Sequence, residues 1–153
     1  MASGEAIVVL AQQERGARYQ LGRCAAVATE TNGAWSVTGT TSVVAIGDQA
    51  DAFIVPATVN GQIALFLVER SASGVATQGY VTQDGSRAAE LQLSKAEATL
   101  ITMDGLAALE HAVDIGLAAA CAEAVGVMDA TLAITVDYMN QRKQFGVVIS
   151  SFQ

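Results

Sequence analysis

The sequence predicts an α+β fold: an antiparallel β-barrel or sandwich followed by a long C-terminal α-helix. Three observations carry this. Residues 6–93 are rich in Val, Thr and Gly, in short runs separated by turn signals. From Asp104 the apolar period becomes helical and continues to Gln141 with no Pro to interrupt it. The length, 153 residues, is that of about one domain, and 52% apolar residues against 15% charged exclude a disordered chain.

Seven strands are predicted, at residues 6–12, 23–29, 35–44, 52–57, 63–69, 76–80 and 87–93. Thr31-Asn32-Gly33, Gly47-Asp48, Asn60-Gly61, Ser73-Gly74 and Asp84-Gly85 supply turns between them. Asn60-Gly61 and Asp84-Gly85 each read as a hairpin. Pro56 falls near the end of its strand, where a missing N–H is tolerated. Seven short strands with such spacing suit a barrel or sandwich.

The helix predicted over 104–141 can be capped by Asp104, and Gly146 is expected to end it. At ~1.5 Å per residue it is of order 55 Å long. Its centre, from Ile115 to Met128, is apolar nearly all round except Glu123, so it needs cover on several sides. One β-layer covers only one side, which leads us to expect further helices from the same or another chain. The expected division is 1–100 for the β-domain and 101–153 for the helix and the turn after it.

Charge and composition narrow the function. The net charge is −7, which argues against nucleic acid or an anionic membrane as the main partner. The acids concentrate on the helix and its approach, and the tail carries Arg142 and Lys143 with no acid. A single His and two Cys exclude a His/Cys zinc site. His111, beside Glu110 and three residues before Asp114, reads as a surface neighbourhood on the helix. No phosphate-binding glycine loop, zinc-protease motif, nucleophile elbow or EF-hand occurs. The N-terminus has no secretory signal pattern, and no uninterrupted apolar run approaches the ~18–20 residues of a transmembrane helix. A cytoplasmic protein with two reduced, buried thiols and no membrane insertion is therefore expected.

Two stretches are more specific. The first is Trp35-Ser36-Val37-Thr38-Gly39-Thr40-Thr41-Ser42-Val43-Val44, followed by Ala50-Asp51-Ala52-Phe53. The second is Glu123-Ala124-Val125-Gly126, then Tyr138-Met139-Asn140-Gln141-Arg142-Lys143-Gln144-Phe145-Gly146, then Ile149-Ser150-Ser151-Phe152-Gln153. In this order and spacing they resemble the acyl-CoA dehydrogenase family. The resemblance covers essentially the whole chain, and the Arg-x-x-Phe-Gly tail after a long helix is its most specific part.

The resemblance implies the family's middle β-domain plus the first helix of its C-terminal helical domain, so the chain looks like a fragment. It implies FAD as cofactor, an acyl-CoA thioester as substrate and desaturation between its α and β carbons. An electron-transfer flavoprotein or similar acceptor and a homo-oligomer, dimer or tetramer, are the implied partners. Leu10, Gln13, Val43, Val44 and Ala45 would face the flavin ring, and Arg142, Gln144 and Phe145 the pyrophosphate and adenine side across a subunit interface. Tyr19 falls where the family holds the acyl-CoA: Arg18-Tyr19 replaces its Gly-Ser, and Val43-Val44-Ala45 its Trp-Ile-Thr. The positions of a base and of a CoA-side arginine in some members correspond to Gly116 and Leu117. No catalytic residue is therefore assigned, and the base is expected outside these residues. The alternative expectation is a non-catalytic subunit that completes a neighbour's flavin site.

Overall fold

The computed structural model describes residues 4–152. Two compact units make up the chain, Met1–Glu110 and His111–Gln153. The first is a β-barrel. Its strands are β1 (Val8–Leu10), β2 (Val27–Thr31), β3 (Ala34–Ala45), β4 (Ala52–Val59), β5 (Gln62–Glu69), β6 (Val75–Val81) and β7 (Arg87–Thr102). β4, β2, β3, β7 and β5 form a closed ring, because β5 also pairs with β4. The pairing is antiparallel except where β1 and β2 meet β4, which are parallel contacts.

The hairpins arise where expected. Asn32-Gly33 and Asn60-Gly61 hold two consecutive left-handed residues, the backbone of a tight turn that matches strand twist. β6 and β7 form a third hairpin across Asp84-Gly85, in register from Val81 opposite Arg87 to Val75 opposite Leu93. The core is filled by Val37, Phe53, Val55, Phe66, Val68 and Leu91, all fully buried. The Trp35 and Phe66 rings pack at 5.3 Å.

Several bounds differ from the sequence reading, each for a local reason. β1 keeps only three residues of 6–12. β2 starts at Val27 instead of residue 23, because the N–H groups of Ala25 and Ala26 go to the Glu14 carboxylate and not to a ladder. β7 runs past residue 93 to Thr102 by absorbing a break at Lys95, whose φ is +49 and whose N–H donates to Thr38 Oγ1. Pro56 is interior to β4, not near its end. On that side Ala11 N–H donates to Ile54 O and Thr58 N–H to Ala26 O, so the proline nitrogen faces the gap between β1 and β2. No ladder bond is lost there.

The helix α1 (Gly105–Gln141) is capped at Asp104, whose carbonyl accepts the Ala108 N–H. In the first unit Gly105 and Leu109 are buried. A Cβ at Gly105 would lie 2.7 Å from the Ile63 carbonyl oxygen, so only Gly allows this approach.

In the second unit the helix has no single apolar face, and Ile115, Leu117, Met128, Leu132 and Ile134 are all exposed. It ends at Gln141, where the period predicts, and Gly146 does not terminate it. Phe145 and Gly146, both left-handed, instead turn a short hairpin of β8 (Lys143–Gln144) and β9 (Val147–Val148), before a 3-10 turn over Ile149–Phe152.

One further expectation is corrected. Cys121 is exposed on the helix, and only Cys24 is partly buried. The helix is also long and apolar enough to cross a membrane by length and composition, although no uninterrupted apolar run is. Isolated acids such as Asp114 and Glu123 break the runs without lowering the average enough.

Candidate cofactor site

The segment after β1 is held by one side chain. Glu14 is buried, and its carboxylate accepts the Ala25 N–H at 2.8 Å and the Ala26 N–H at 3.0 Å. Its carbonyl accepts the N–H groups of Ala17 and Arg18, which closes a turn with Arg18 left-handed. Cys24 fills the gap beside Pro56, donating to the Pro56 carbonyl at 3.4 Å. Burial first, and the neighbouring Glu14 charge second, push the Cys24 thiol up to about 11.

This loop and a break in β3 enclose an open cavity of about 520 Å³. Gln13 and Val43 line it together, and the Gln13 carbonyl accepts the Ser42 N–H at 2.7 Å. Glu90 also lines the cavity, accepting Ser42 Oγ at 2.8 Å and the Tyr80 hydroxyl at 3.3 Å and pairing with Arg15 at 3.5 Å. Desolvation and then the Glu90 charge raise the Tyr80 hydroxyl above its ordinary pKa. Arg18 and Gln78 complete the rim.

The cavity therefore offers amide and guanidinium donors beside one apolar wall. Its two acids are already engaged by N–H and O–H donors. Such a site can hold and orient a polar planar ligand.

The other expected residues are placed as follows. Leu10 is half-buried at the end of β1, and Ala45 is exposed at the end of β3. The Val44 side chain lies in the core, 2% exposed, and not toward the cavity. Tyr19 is 91% exposed and outside the cavity wall. In the second unit Arg142 follows the helix, with its N–H donating to Tyr138 O, and Gln144 Nε2 donates to Lys143 O. Phe145 stands 94% exposed at the hairpin turn, edge-on to Phe152 at 6.4 Å.

Sequence reasoning did not select Ser42, Tyr80, Glu90 or Arg15. The one available signal was Glu90, a lone acid between Ala88-Ala89 and Leu91 in an otherwise apolar run.

No family model matches the chain. A curated relative from Mycobacterium tuberculosis, described as acyl-CoA dehydrogenase FadE27, is 31% identical over 137 residues, 88% of this chain and 36% of the relative. The crystal structure of the ChsE4-ChsE5 complex from the same organism is 29% identical, covering 99% of this chain and 40% of that one, with a TM-score of 0.77. A glutaryl-CoA dehydrogenase from Mycobacterium smegmatis in complex with FADH2 shares the fold at a TM-score of 0.90 and 22% identity, covering 98% of this chain and 41% of that one. The chain thus spans about two-fifths of the length of these relatives. In sequence and in fold, over nearly its whole length, it matches the acyl-CoA dehydrogenase family.

Proposed function

We propose that this chain forms the barrel wall and first bundle helix of an FAD-dependent acyl-CoA dehydrogenase, which desaturates an acyl-CoA thioester between its α and β carbons. The carrying observation is the match over 88% of the chain at 31% identity, with Gln13 and Val43 meeting at one cavity.

The residues present suit a flavin. An isoalloxazine ring needs hydrogen-bond donors for its carbonyl and nitrogen edge and an apolar surface for its face. Gln13 and Gln78 offer amide donors, and Val43 an exposed apolar side chain. A flavin held by these residues would supply the redox chemistry of the desaturation. Gln13, whose main-chain carbonyl accepts the Ser42 N–H, would offer its side-chain amide to the ring edge. Arg142 is exposed and suits a diphosphate through charge-assisted bonds, with Gln144 and Phe145 beside it on the same hairpin. Tyr19, exposed beside the cavity loop, is assigned to the acyl-CoA. Glu14 and Glu90 already accept hydrogen bonds from the barrel, and we take the base for the α-proton to come from outside these residues. An electron-transfer flavoprotein is the acceptor class. We read the helix as a bundle helix and not a membrane span, because its match to family members continues across it.

The test uses the 153-residue chain. FAD retained through gel filtration, weakened in Arg142→Ala, with no dye reduction by acyl-CoA, supports the assignment. Loss of flavin from the wild type removes the cofactor role, and robust turnover overturns the external base.

A second reading is favoured by the similarity to a complex of two proteins. The chain would be a subunit that completes the flavin site of a longer, non-identical partner. Flavin retained only on co-expression with such a partner would select it.

A further inference from the structure

Val43 and Ile46 both adopt left-handed backbone, with φ +54 and +50. A β-branched side chain is strained there, so two such residues within four positions require an outside cause. Main-chain and side-chain bonds supply it. Ser42 donates its N–H to Gln13 O at 2.7 Å and its hydroxyl to Glu90 at 2.8 Å. Ile46 N–H donates to Arg87 O at 2.9 Å, and Gly47 N–H to Val44 O at 3.0 Å. Between Thr41 and Val44 the β3 strand loses register with β7.

The result is selective. Thr41, Ser42 and Val44 are buried, and Val43 alone is turned out, 48% exposed, onto the cavity wall. Asn or Gly would take this backbone without strain and lose little packing. Val supplies something neither can, a stiff branched apolar surface with few rotamers, facing the cavity.

We propose that the β3 bulge stores backbone strain at Val43 in order to hold its side chain as a pre-set apolar stop against the ring of the bound flavin. This rests on the flavin reading above. Strain at Val43 thus lowers fold stability while it raises ligand affinity, and the two effects separate by substitution.

The experiment measures thermal midpoint and FAD dissociation constant for the wild type, Val43→Asn, Val43→Ile and Ile46→Asn. Val43→Asn is expected to melt roughly 2–4 °C higher for a chain of this size. It should also bind FAD about tenfold more weakly, the loss of roughly one good apolar contact. Val43→Ile keeps the branched surface and should keep the affinity. Ile46, equally strained but outside the cavity wall, should gain stability as Asn with FAD affinity unchanged. A Val43→Asn variant that melts lower than wild type, or that binds FAD equally well, overturns the inference and leaves the flavin assignment standing. Failure of the wild type to bind FAD removes both.

Discussion

Gly39 and Ala26 approach so closely that no side chain fits between them. A Cβ at Gly39 would stand 2.5 Å from the Ala26 Cβ and 2.9 Å from its Cα. Ala26 cannot retreat. Its N–H is bound by Glu14 and its carbonyl accepts the Thr58 N–H at 2.8 Å. Gly39→Ala is therefore expected to destabilise the barrel by about 1–3 kcal/mol, the range for overpacking. Urea unfolding of the two proteins checks this, and an unchanged midpoint would show that the strands can part.

The same contact makes Glu14 a structural group. Gln in its place keeps one acceptor but brings an NH₂ against two main-chain donors, the part-buried Ala25 N–H and the buried Ala26 N–H. Leaving one of them unpaired costs about 1–3 kcal/mol. Glu14→Gln should unfold at correspondingly lower denaturant. A stability equal to wild type would free Glu14 for chemistry and contradict its assignment here.

These two positions also show how far the sequence could be read. The Trp35 to Val44 stretch was legible as a strand, because alternation and β-branching are local signals. That Gly39 faces Ala26 was not, since β2 begins late only through Glu14, far along the chain. The family resemblance assigns Val43 and Val44 alike to the flavin, whereas the structure turns Val43 out and buries Val44 in the core. A bulge decides which of two adjacent valines turns outward, and it depends on Ser42 bonding Glu90 across 48 positions. The long helix was legible from its period over 104–141, whereas the turn at Phe145-Gly146 was not, because that hairpin forms from only two pairs.

Cys24 carries a pH dependence of defined sign. Its thiol is pushed up from the ordinary 9.0 to about 11 by burial and by Glu14. The folded state therefore holds its proton more tightly than the unfolded chain. That contribution is fully present below pH 9 and is lost as the pH rises toward 11. Unfolding free energy should fall over this window in the wild type and fall less in Cys24→Ala. Alkylation gives a second readout: at mildly alkaline pH exposed Cys121 should react well ahead of Cys24.

Tyr80 reports on the charge inside the cavity. Its hydroxyl is raised first by desolvation and then by Glu90, while Arg15 opposes the shift. Neutralising the carboxylate removes a negative charge that disfavours the phenolate. In Glu90→Gln the Tyr80 pKa should accordingly fall toward the ordinary value of about 10. Removing the cation acts oppositely, so Arg15→Ala should raise it further. Phenolate absorbance across an alkaline titration measures both, with Tyr80→Phe identifying the component among the three tyrosines. Shifts of the same sign in the two variants would mean that Glu90 and Arg15 do not both face Tyr80, and the polar wall of the cavity would have to be redrawn.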